Sequence, residues 1–77
     1  MKADSTMDCV GLYCPMPIAK TAMQIKKLKV GDILEIVADD KGIKSDIPAW
    51  CKTTGHEFLG MEEKGTEIHL FVRKKHE

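Results

Sequence analysis

Hydrophobic residues alternate, then recur at helical spacing, and the switches between the two periods mark the elements of this chain. Thr6-Met7-Asp8-Cys9-Val10 alternates and predicts a short strand with Met7 and Cys9 on one face and Asp8 on the other. Gly11 then gives the chain the freedom to turn out of the strand. From Pro15, Ile18, Ala22, Ile25 and Leu28 recur on one side and Lys20, Gln24 and Lys27 on the other, an amphipathic helix of about four turns. Val30-Gly31-Asp32 ends it. Ile33-Leu34-Glu35-Ile36-Val37-Ala38 is rich in β-branched residues and predicts a second strand. Joined to the first through a helix, it should lie parallel to it.

Asp39-Asp40-Lys41-Gly42 reads as a turn. Residues 43–54 predict a second helix with Ile47, Trp50, Cys51 and Thr54 on one face. Pro48 fits only in the first turn, which places the cap near Lys44, Ser45 or Asp46; Gly55 is the stop. His56 to Glu63 predicts a strand weakened by Gly60, and Lys64-Gly65 a hairpin. Glu67 to Arg73 alternates cleanly, with Ile68, Leu70 and Val72 inward. The order βαβαββ predicts an α+β fold: a two-layer α/β sandwich, with a four-stranded mixed sheet and two helices on one face. The other face should be largely open, carrying Glu67, His69 and Phe71. The 77 residues suffice for a single domain over 1–77, with residues 1–5 as a frayed tail.

Composition narrows the function classes. Twelve basic side chains balance twelve acidic ones, so nothing global draws the chain to nucleic acid or an anionic membrane. Lys26-Lys27-Lys29 and Arg73-Lys74-Lys75 read as solvated faces, with docking of a partner as the alternative. No apolar stretch is long enough to span a bilayer, and the first residues do not resemble a secretion signal. A cytoplasmic monomer is expected. Three cysteines at irregular spacing argue against a disulfide framework. Neither the cysteines nor His56, His69 and His76 show zinc-ligand spacing, and no phosphate-binding glycine loop is present, so neither metal nor cofactor is expected. Asp39, Asp40 and Asp46 read as turn and cap residues, Trp50 as a core anchor and His69 as a solvated sheet residue.

One stretch resists a purely structural explanation: Gly11-Leu12-Tyr13-Cys14-Pro15-Met16-Pro17. Pro15 and Pro17 lack N–H donors, so the strand must stop, yet proline is tolerated in a first helical turn. Cys14 falls at or near the N-cap, just beyond the carboxyl end of the first strand, facing the amides of Met16 and Ile18. A helix terminus favours an anion by about 0.3–1 kcal/mol, enough to lower a thiol pKa by up to about one unit. That raises the thiolate fraction near neutral pH several-fold. Cys9 and Cys51 read as core residues, although Cys9 is near enough in sequence to serve as a resolving thiol.

The element Gly11-Leu12-x-Cys14-Pro15-x-Pro17, followed by Ala38-Asp39-Asp40 and Asp46-Ile47-Pro48-x-Trp50-Cys51, resembles the TusA/SirA-like sulfur-carrier family from about Met7 to Lys74. The resemblance implies the same βαβαββ fold and a persulfide carried on Cys14. It further implies a cysteine desulfurase or rhodanese-like donor and a DsrE-like or other acceptor. Thiolation of tRNA, molybdenum-cofactor sulfur supply and dissimilatory sulfur oxidation are the implied end uses. Relatives often have a polar or basic residue where this chain has Tyr13, so a cation beside the thiolate is missing here. Lys20 and Lys27 are expected docking contacts. The competing expectations are a thiol redox module pairing Cys9 with Cys14, and a regulatory module contacting RNA through the open sheet face.

Overall fold

The computed structural model describes residues 3–12 and 16–76. Tyr13, Cys14 and Pro15 lie outside the described residues, and so do Met1, Lys2 and Glu77. The elements are β1 (Ser5–Asp8), α1 (Met16–Ile25), β2 (Ile33–Ala38), α2 (Ile43–Thr54), β3 (Glu57–Lys64) and β4 (Glu67–Arg73). They form one four-stranded sheet in the order β1-β2-β4-β3. β1 runs parallel to β2, while β4 is antiparallel to both β2 and β3. The expected α+β sandwich is therefore present.

The core is the single layer between sheet and helices. Leu34, Ile36, Leu70 and Val72 from the central strands meet Ile25 of α1 and Ile43, Ile47 and Cys51 of α2, all buried. Alternation in β2 and β4 produces this directly, because every second side chain points to the helices. Trp50, expected as a core anchor, only half enters this cluster and stacks on His56 instead.

Several boundaries differ from expectation. β1 starts at Ser5, and Asp4 is held to Ile33 by bonds in both directions, so the tail is shorter than predicted. The strand also ends early, at Asp8, whose carboxylate accepts the Val10 amide at 2.9 Å and draws the chain out of the sheet. α1 stops at Ile25, not Leu28: Lys27 and Leu28 donate to Gln24 and Ile25, three residues back, tightening the last turn. α2 has the predicted span, but it is entered at Gly42 without a side-chain cap, and Pro48 lies inside the helix. The amides of Ile43, Lys44 and Ser45 each reach three residues back, so the opening turn is already tight and Pro48 removes one later bond. Gly55 ends α2 as expected, in the left-handed region, with its amide on the Cys51 carbonyl.

Two side chains expected in solvent are buried. Lys74 is 3% exposed: its ammonium donates to the Leu28 carbonyl at 2.7 Å, where the turn after α1 leaves acceptors open. Phe71 is 4% exposed although it faces away from the helices. It is flanked along β4 by His69 and Arg73, both drawn into pairs across that face, with Glu35 and Glu57 respectively. The helix-free face is thus not simply open.

Candidate functional site

The site is built where β1 hands over to α1. Cys9 extends the β1–β2 ladder by one bond, its amide donating to the Val37 carbonyl at 2.6 Å. Leu12 then donates to the Cys9 carbonyl at 3.1 Å, closing a tight turn over residues 9–12. Gly11, third in that turn, has φ +85°, which a side chain at this position would disfavour. The Gly11 amide donates to Asp39 Oδ1 at 3.0 Å, tying the turn to the end of β2. Leu12 packs against the core cluster. Gly11 and Leu12 therefore form a fixed approach to the three residues that follow.

The departure is equally well held. α1 begins at Met16, which is half exposed, and Pro17 in its first turn is buried. Thr21 donates its hydroxyl to the Pro17 carbonyl at 2.7 Å, with Thr21 fully buried. No carboxylate occupies the first turn, so the partial positive charge of the helix start is not cancelled there. Cys14 and Pro15 themselves lie outside the described residues. Chain connectivity places them between the turn and this helix start.

The other two thiols are structural in character. Cys9 is fully buried, and burial pushes its thiol up, a shift that the nearby Lys20 charge opposes and Asp8 reinforces. Its backbone is bonded at both N–H and C=O, so a resolving role would require it to leave the sheet. Cys51 is 2% exposed and burial pushes its thiol up to about 11. Neither forms a ready thiolate.

Lys20, Met23, Gln24 and Lys27 line a cavity of about 330 Å³ against Thr6, Met7 and Asp8 of β1. Both lysines expected to dock a partner therefore share one groove beside the site. Asp39 and Asp40 serve the chain turns: Asp40 accepts the Gly42 amide, and Asp39 holds Gly11. Sequence reasoning read Asp39 as a turn residue and missed that second role; its one signal was an aspartate just past a strand parallel to β1. Among the described residues, no group of three or more His, Cys, Asp or Glu side chains is placed to hold a metal ion. Among them, too, no helix is long and apolar enough to cross a membrane.

Residues 5–74 match the family described as Sulfurtransferase TusA. The chain belongs to the TusA sulfurtransferase family. A Bacillus subtilis (strain 168) protein described as a sulfur carrier, YrkF, is 53% identical over 96% of this chain, which spans only 40% of that protein's length. The sulfur carrier protein TusA of Pseudomonas entomophila (strain L48) is 36% identical over 94% of this chain and 90% of its own. The crystal structure of a SirA-like protein from Desulfitobacterium hafniense has the same fold, with a TM-score of 0.80 over 94% of this chain and 99% of that one. Its identity is 16%, so the likeness concerns the backbone alone. This TusA-family chain thus belongs among sulfur carriers, on the fold expected from its sequence.

Proposed function

We propose that this protein carries sulfane sulfur as a persulfide on Cys14 and relays it to an acceptor protein. The family match over residues 5–74 is the observation that carries the reading. The anchored turn before Cys14 and the carboxylate-free helix start after it support the choice of residue.

In loading, the Cys14 thiolate attacks the terminal sulfur of a donor's persulfide. The donor's S–S bond breaks, the donor leaves as a thiolate, and Cys14 keeps the sulfur as a persulfide anion. In unloading, an acceptor thiolate attacks that terminal sulfur and Cys14 departs as a thiolate. Each step is a displacement at sulfur, without net oxidation or reduction, and requires no cofactor. The helix start favours Cys14 as attacking anion and as leaving group. A cysteine desulfurase or rhodanese-like protein suits the donor role, and a DsrE-like protein the acceptor role. Lys20 and Lys27 provide docking contacts on the groove beside β1. The setting is the cytoplasm, with tRNA thiolation or general sulfur metabolism as the end use.

Radiosulfur-labelled cysteine and a cysteine desulfurase test this. The wild-type chain should take up label and lose it to a DsrE-like acceptor on mixing. Retention of label by Cys14→Ser would contradict the site.

A further inference from the structure

The three amides that follow Cys9 each meet an acceptor. Val10 donates to Asp8 Oδ1 at 2.9 Å, Gly11 to Asp39 Oδ1 at 3.0 Å and Leu12 to the Cys9 carbonyl at 3.1 Å. Asp8 and Cys9 belong to the same short stretch and shape the turn from within. Asp39 comes from elsewhere: it follows the last residue of β2 and reaches the turn across the parallel β1–β2 pair. Its side chain is exposed, so it fills no space in the core, and what it gives the turn is a hydrogen bond.

Chain length makes that bond matter for chemistry. Cys14 is two residues from Leu12 and two from Met16, where α1 begins. An extended chain covers at most about 3.6 Å per residue, so the Cα of residue 14 lies within about 7 Å of both anchors. The helix start favours an anion only close to its first turn, so a drifting anchor forfeits that benefit. We infer that Asp39 is a positioning residue for sulfur transfer, acting through the Gly11 amide to keep the Cys14 thiolate at the start of α1. The transfer part of this inference rests on the sulfur-carrier reading; the effect on the thiol does not.

A carboxylate acting by charge and one acting by position leave opposite signatures. Removing a nearby negative charge favours a thiolate and lowers its pKa. Losing the helix start withdraws stabilisation from the thiolate and raises it. The pH profile of Cys14 alkylation by iodoacetamide separates the two in wild type, Asp39→Asn and Asp39→Ala. Asp39→Ala should move the midpoint upward by up to about one unit and slow alkylation near pH 7 several-fold. Sulfur loading by a cysteine desulfurase should slow by a similar factor. Asp39→Asn keeps an acceptor oxygen without the charge, so its midpoint should lie at or below that of wild type and its loading should match. Asp8 and Lys20, whose charges both act at Cys9, are the same in all three proteins. Cys9 and Cys51 should stay unmodified throughout, as they do while the core is intact. An Asp39→Ala midpoint at or below the wild-type value would overturn the inference, as would an Asp39→Asn variant as impaired as Asp39→Ala. A wild-type chain that gains no sulfur would strike the carrier reading and the transfer part with it, while the upward shift in Asp39→Ala alone decides the effect on the thiol.

Discussion

The backbone amide of Gly11 donates to Asp39 Oδ1 at 3.0 Å, joining the turn after β1 to the chain just beyond β2. Twenty-eight residues separate the two in sequence, and the parallel pairing of β1 with β2 brings them together. The carboxylate thereby fixes the turn that precedes Cys14 in the chain. Asp39→Ala should destabilise the fold by about 1 kcal/mol, the usual worth of one such hydrogen bond. Asp39→Asn, which keeps an acceptor oxygen, should cost less. Urea midpoints of the three proteins give the comparison, and an Asp39→Ala midpoint equal to wild type would remove the tether from the account.

Gly11 has a separate cost attached to it. An added Cβ would meet nothing within 4 Å, so the expected penalty of Gly11→Ala is conformational rather than steric. Holding alanine at φ +85° should cost about 1–2 kcal/mol. A crystal structure of the variant should show either the strained angle retained or the 9–12 turn rearranged; an unstrained, unchanged loop at full stability would contradict this.

The three thiols should separate by alkylation. Burial holds Cys51 up to about 11 and raises Cys9, so iodoacetamide near neutral pH should leave both unmodified in the native protein. Cys14 should react first and alone, with the others following only in denaturant. Peptide mapping reads this directly. Native labelling of Cys9 at a rate matching Cys14 would revive the redox pair as a working model of the site.

On the helix-free face, Glu35 accepts from Thr6 and contacts His69 Nδ1 at 2.6 Å. The His69 hydrogen bond is the main influence holding the Glu35 carboxyl below its ordinary range. The unfolded chain therefore binds a proton at this group more readily than the folded one, and acid favours unfolding. The stabilisation is complete above the ordinary carboxylate range and is lost as pH falls through the lowered folded value. Glu35→Gln should cost about 1 kcal/mol near pH 7, and the gap to wild type should close in acid. Urea midpoints measured across that range would expose the opposite trend.

How far the sequence could be read depended on the range of the forces involved. β4 and the end of α2 were legible to the residue, because clean alternation and a glycine stop are local signals, whereas the start of α2 at Gly42, without a side-chain cap, was not. The end of α1 was not: Leu28 continues the helical spacing, but the backbone there has already tightened into three-residue bonds. Lys74 and Phe71 escaped for another reason. Their surroundings come from across the fold: a carbonyl in the turn after α1 accepts from Lys74, and the neighbours of Phe71 along β4, His69 and Arg73, are paired with Glu35 and Glu57. At the site, the turn at Gly11 and the helix start were foreseeable from glycine and proline chemistry. The Asp39 contact required knowing which strand lies beside β1.

The central claim is that sulfur rides on Cys14, and intact-mass spectrometry tests it most directly. After incubation with a cysteine desulfurase and cysteine, the wild-type chain and Cys51→Ser should each gain the mass of one sulfur atom, removable by a reductant. Cys14→Ser should gain none. Sulfur gained by Cys14→Ser, or missing from the wild-type chain under conditions that load other carriers, would contradict the account.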